Sequence, residues 1–178
     1  MRIDISIGEG FDRLSILEIK QREISNPEKK SHIQKEIETL SEIQEWKGKY
    51  SYYYELLISV NYQIWNHTNS IKAMNPKDVA FSEVAASIFD LNQSRFRLKQ
   101  IINKLSDSSI QEQKSYGLTC IDVELIDSES IDIKRFTDLS LRYDRVNIWC
   151  NQSKREEFER LVPKFNYLFL RYHDTYRI

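Results

Sequence analysis

The sequence predicts an α/β chain of the α+β kind: an N-terminal strand plus an antiparallel bundle of about four helices, then a small parallel βαβαβ lobe. Three observations lead there. Glycine and proline are scarce, four and three in 178 residues, which disfavours turn-rich sheets and favours long helices. Two long stretches carry apolar residues at alternating spacings of three and four, the seam of packed helices. The last third instead alternates strand-like and helix-like segments, a spacing that implies right-handed crossovers between parallel strands. The expected division is a helical module over 1–116 and a lobe over 117–178. If the N-terminal strand joins the lobe's sheet, the two fuse into one domain.

The elements follow in order. Ile3, Ile5 and Ile7 alternate with polar neighbours and predict a half-buried strand. From Glu9 a helix follows, with Phe11, Leu14, Leu17 and Ile24 on one broad face. Ser25 or Asn26 caps a second helix with Pro27 in its first turn and Ile33, Ile37, Leu40 and Ile43 as its stripe, ended by Gly48. The third, from about Ser51 to Met74, carries Tyr53, Leu57, Val60, Ile64, His67, Ile71 and Met74, and Asn75-Pro76 stops it. The fourth carries Phe81, Val84, Ile88, Leu91, Arg95, Leu98, Ile102 and Leu105. The lobe then reads as strand (LTCIDVELI), helix (DIKRFTDLSLRYD), strand (RVNIWC), helix (SKREEFERLV) and strand (YLFLRYH). Ser153 and Glu156 have capping-box spacing, and Pro163 closes that helix.

Composition narrows the function classes. Lys and Arg number 26 against 27 Asp and Glu, a net charge of -1, so no basic field argues for nucleic acid. The start MRIDISIGEG has no apolar signal region, and no stretch nears the roughly 18 apolar residues of a membrane span. The expectation is a cytoplasmic protein, free of the membrane. Cys120 and Cys150 are too few and too far apart for a disulfide framework or a zinc site, and read as buried free thiols. No metal or cofactor motif is present, and no hydrolase or protease signature argues for an enzyme.

Three places have residues that could carry chemistry. Gly8-Glu9-Gly10 lies where a phosphate loop would, between strand and helix. But Arg13 stands where the dinucleotide fingerprint needs glycine, and Glu9 repels an anion, so a turn into the helix is the better reading. The second place is the helical seams. His67 and Arg95 sit in otherwise apolar stripes, Asn61 and Trp65 share one helix face, and Asn92, Arg95 and Lys99 share another. A buried arginine needs a partner, and Asp12, Glu18 or Glu9 of the first helix can supply it. These groups either line a pocket for an anionic ligand or form a satisfied network that fixes bundle register; the second is the plainer reading, with His67 a hydrogen-bonded core residue. The third place is the carboxyl edge of the small sheet, with Asp127, Ser128, Asn151, Gln152, Ser153, His173 and Asp174. His173 beside Asp174 could act in proton transfer. But Ser128, Asn151 and Ser153 are good cap residues, and simple caps are the plainer reading.

These residues carry a resemblance. The stretch Ser6, Gly8, Glu9, Asp12, Arg13, Leu14, Ser15, Ile16, Leu17, Glu18, Ile19, Lys20, then Val60-Asn61 with Trp65, then Asn92, Arg95, Lys99, Ile102-Asn103, Glu112 and Lys114-Ser115-Tyr116, resembles a bacterial and phage domain family of unknown function, number 6165 in its series. The resemblance covers roughly residues 1–116. Gly10 departs from it, standing where the family has leucine, and Arg13 stands where it has lysine. The resemblance implies a role near surface-glycan biosynthesis, by association rather than mechanism. It singles out Asp12, Glu18, Lys20, Asn61, Trp65, Asn92, Arg95 and Lys99 as candidate ligand-binding residues. The expected function is a non-catalytic binding or assembly module with a protein partner or a second copy of itself. The alternative is a small enzyme or binding protein for a phosphorylated or nucleotide-linked sugar.

Overall fold

A computed structural model of the chain describes residues 4–110, 119–126, 128–162 and 166–170. Asp127, Pro163, His173, Asp174 and Glu112 to Tyr116 lie outside the described residues, as does Ile3 of the expected first strand. The chain divides into two compact units, Met1–Gln111 and Glu112–Ile178. No described helix is long and apolar enough to cross a membrane.

The first unit is helical: α1 (Ile7–Glu23), α2 (Pro27–Glu38), α3 (Ser41–Lys49), α4 (Ser51–Ile71) and α5 (Val79–Leu105). The expected N-terminal strand is not seen among the described residues. Asp4 to Ser6 are in no strand, and Ile7 already belongs to α1. Ser6 caps that helix: its backbone is extended and its hydroxyl accepts the Glu9 N–H at 3.1 Å. The local cap outweighs the three-residue alternation of isoleucines. Both glycines therefore lie in the first turn of α1, not in a turn before it.

The single second helix that the stripe Ile33 to Ile43 predicted is two helices. The Thr39 hydroxyl donates to the Glu36 carbonyl at 2.6 Å and the Leu40 N–H to that of Ile37 at 3.0 Å, tightening the chain before α3 restarts at Ser41. Gly48 does not end the element; it lies inside α3. Of the two expected seams, Tyr53, Leu57, Val60, Leu98 and Ile102 are buried, Ile64, Ile71, Phe81, Val84, Ile88 and Leu91 are half-buried, and Met74 lies past the end of α4. α4 and α5 lie against each other and α1 covers both. The Tyr50 hydroxyl donates to the Leu105 carbonyl at 2.8 Å, tying the start of α4 to the end of α5, so the pair is antiparallel. Phe11, Leu14, Tyr54, Leu57, Leu98 and Ile102 are fully buried where the three meet, with Phe11 edge-on to Tyr54 at 5.2 Å.

The second unit is a parallel sheet flanked by two helices: β1 (Cys120–Glu124), α6 (Ile133–Arg142), β2 (Arg145–Trp149), α7 (Gln152–Leu161) and β3 (Tyr167–Leu170), in strand order β1-β2-β3. Register pairs Val123 with Ile148 and Ile148 with Phe169. Val123, Val146, Ile148, Phe136 and Phe158 form its core. Asn151, not Ser153, caps α7: its side-chain oxygen accepts the Lys154 N–H at 2.8 Å, so Ser153 sits within the helix. The thiols differ from expectation too. Cys150 is buried but Cys120, at the start of β1, is exposed.

Candidate functional site

The site grows from the N-terminus of α1. The Gly8 N–H, one of the groups a helix start leaves unpaired, donates to Asn103 Oδ1 of α5 at 2.7 Å. A Cβ at Gly8 would meet the Lys99 carbonyl and lie 2.8 Å from Asn103 Oδ1, so only glycine lets the two backbones approach this closely. Gly10 is different. A Cβ there would meet the Ile43 side chain of α3, which can move. One turn further, this close approach delivers Asp12 between α4 and α5.

Asp12 is 5% exposed. Its Oδ1 accepts from Asn61 Nδ2 at 2.8 Å, and the same Nδ2 donates to Ser15 Oγ at 2.7 Å. Ser15 Oγ in turn donates to the Asp12 carbonyl at 2.8 Å. Arg95 Nε lies 3.9 Å from Asp12 Oδ1, an ion pair too long to be a hydrogen bond. Burial pushes the Asp12 carboxyl above its ordinary value; the Asn61 hydrogen bond and the Arg95 and Lys99 charges pull it back, while Glu9 adds to the rise. Asn61 Oδ1 is buried and has no hydrogen-bond partner among the described residues.

Beside this cluster lies a cavity of about 210 Å³ within the first unit. Its walls are mostly apolar, with Ile16 and Ile19 from α1 and Ile64 and Trp65 from α4. Asn61, Thr68 and Asn69 add polar groups, and Arg95 and Lys72 are its cations. Among the described residues the Arg95 guanidinium makes no hydrogen bond; Asp12 is its one ion-pair partner.

Of the eight residues that the sequence singles out, Asp12, Asn61, Trp65 and Arg95 come together at the cluster and cavity. Lys99 lies nearby but bonds Glu9 Oε2 at 2.9 Å. Glu18 faces elsewhere: its Oε1 accepts from Lys47 Nζ of α3 at 2.7 Å, and that ammonium lies over the Tyr54 ring. Asn92 donates to the Ile88 carbonyl of its own helix at 2.8 Å. Lys20 is half-buried, and its side chain makes no hydrogen bond or ion pair with a described residue. His67 is half-buried, and its Nδ1 is buried with no partner among the described residues, so it is not the hydrogen-bonded core histidine expected. Sequence reasoning missed Ser15, Asn103 and the cavity residues Thr68, Asn69 and Lys72 as site groups. Helical spacing offered a signal for two of them: Ser15 is three residues past Asp12 and Asn103 four past Lys99.

A sequence model of a family of unknown function, DUF6165, matches residues 1–141. The chain belongs to this family. The match is longer than the resemblance that ended near Tyr116: it takes in the whole helical unit and continues through β1 and nearly all of α6. Searches of curated proteins and of solved structures each found no match. In this DUF6165 member the motif at the start of α1 has a local physical account. Ser6 caps, Gly8 permits the approach to α5, Asp12 and Ser15 hold Asn61, and Glu18 holds Lys47.

Proposed function

We propose that the helical unit is a non-catalytic binding module whose site is the cavity between α1, α4 and α5, taking a small ligand that presents an anionic group to Arg95. One observation carries this reading. Arg95 lines a largely apolar cavity, its side chain is 29% exposed, and its guanidinium donates no hydrogen bond to a described residue. A guanidinium has five donors in a planar fork, and desolvating it beside isoleucine and tryptophan is costly unless an acceptor arrives. Asp12 is poorly placed to act as an acid or base on such a ligand. It is buried, and Asn61 already occupies its Oδ1.

A link to glycan-related biology would offer the unit anionic sugars, and these and small carboxylates are the two ligand classes to compare. A nucleotide-linked sugar is disfavoured by size, because about 210 Å³ falls below the roughly 300–1,000 Å³ of ordinary small-molecule sites. Isothermal titration with sugar phosphates and small carboxylates, on the wild type and Arg95→Met, tests the reading. Binding by wild type that the variant loses supports it. No binding of any anion, or binding indifferent to Arg95→Met, refutes it.

A further inference from the structure

We infer that the ligand of this cavity is a monoanion with a ring-sized apolar body, in chemistry an aromatic or branched-chain carboxylate rather than a sugar phosphate. The inference rests on the binding reading above and narrows it by charge, wall chemistry and geometry.

Charge comes first. The two cations on the wall are Arg95 and Lys72. Lys72 caps the end of α4 and is exposed, so water screens it. Asp12 Oδ1, 3.9 Å from Arg95 Nε, already offsets part of the guanidinium charge. The wall can therefore match about one negative charge, whereas a phosphate monoester carries nearly two near neutral pH.

Wall chemistry points the same way. Ile16, Ile19, Ile64 and Trp65 offer dispersion and an aromatic face but no hydrogen bonds from their apolar surfaces. The Nδ2 of Asn61 is already given to Asp12 and Ser15. Asn61 Oδ1, buried without a partner among the described residues, and the side chains of Thr68 and Asn69 can meet a few polar groups. A ring with several hydroxyls would still lose more hydrogen bonds to water than this wall returns. A carboxylate on an apolar body loses little, because its two oxygens match the fork of a guanidinium.

The test uses the full chain and a matched probe series: indole-3-acetate, its neutral counterpart indole-3-acetamide, 4-methylpentanoate and glucose 1-phosphate. Titration calorimetry gives affinities, and the indole N–H resonance of Trp65, one of three tryptophans, reports the location without any substitution. The expected result is binding of both carboxylates with a shift of the Trp65 resonance. The amide should bind at least about tenfold more weakly, as should indole-3-acetate to Arg95→Met, because a charge-assisted pair is lost. Glucose 1-phosphate should not bind. If glucose 1-phosphate binds through Arg95 and the carboxylates do not, the ligand class is wrong and the binding reading stands. If no probe binds, or binding leaves Trp65 unshifted, the binding reading itself fails and the ligand class falls with it.

Discussion

Replacing Gly8 by alanine pits two effects of opposite sign against each other. Helix propensity alone favours alanine, by at most about 1 kcal/mol in a helix interior. The close approach to α5 predicts the reverse. The new methyl would meet the Lys99 carbonyl and come within 2.8 Å of Asn103 Oδ1, and the Lys99 atoms are backbone of a packed helix that cannot swing away. Overpacking of this kind costs about 1–3 kcal/mol. If α1 moves off to relieve it, the 2.7 Å bond from Gly8 N–H to Asn103 is lost and a buried donor is left unpaired, for about 1–3 kcal/mol more. The net expectation is destabilisation of roughly 1–5 kcal/mol. Urea unfolding followed by far-ultraviolet circular dichroism should show this as a midpoint lowered by about 0.5–2.5 M, at slopes of about 2 kcal/mol per molar. Asn103→Ala should lose part of the same energy, and the double variant less than the sum, because both changes act on one contact. A Gly8→Ala variant as stable as wild type would refute the account of why glycine stands there.

Other expectations can be checked with similar effort. Burial raises the Asp12 pKa above 3.8, so the folded state holds this proton more tightly than the unfolded chain. Asp12's contribution to stability must then fall as pH rises through the window that begins near 3.8 and ends at the raised value. Asp12→Asn should remove that slope in unfolding curves measured across the window, and a variant with the wild-type slope would contradict it. Arg95→Leu should be within about 1 kcal/mol of wild type in urea unfolding, whereas a role as the essential counter-ion of Asp12 predicts a loss of about 3–5 kcal/mol. Thiol titration with a bulky disulfide reagent should count one reactive cysteine in native buffer, Cys120, and two in denaturant, since Cys150 is buried; two fast native thiols would contradict the placement of β2. Phe136→Ala should cost about 3–5 kcal/mol, because that ring is 1% exposed and meets Phe158 edge-on at 4.7 Å; a loss under 1 kcal/mol, read by exchange of β2 amides, would contradict the core assignment.

Features of the fold that were legible in the sequence are those with a long period. The stripe from Tyr53 to Ile71 and that from Phe81 to Leu105 each repeat over several turns and lie in helices that pack as antiparallel neighbours, with Met74 falling past the end of its helix. Short signals failed where one local hydrogen bond could overrule them. Ile3, Ile5 and Ile7 suggest a strand by alternation, yet the Ser6 hydroxyl starts a helix at Ile7. Thr39 and Leu40 divide a stripe that reads as continuous. The polar set was half legible for a similar reason. Helical spacing states which residues share a face, so Asn61 and Trp65 were grouped, as were Asn92, Arg95 and Lys99. Spacing does not state which face of α1 meets them. Glu18 lies six residues past Asp12, far enough round the helix to face α3 and Lys47 instead.

Arg95 is the position where stability and function part company. It occupies a seam site between Leu91 and Leu98, where leucine would continue the stripe and add apolar burial. A network that fixes register does not need a cation there. Asn61 and Ser15 already bond Asp12 through its carboxylate and its carbonyl, and burial has raised the pKa of that carboxyl. What Arg95 adds to Asp12 is a charge at 3.9 Å without a hydrogen bond, the weaker form of an ion pair. What it adds to the cavity is a guanidinium fork on an otherwise largely apolar wall. The lock and the site are thus separable in the same four residues, with Asp12, Ser15 and Asn61 on the structural side. Arg95→Leu distinguishes the two roles, because the lock should survive it while recognition of an anion should not.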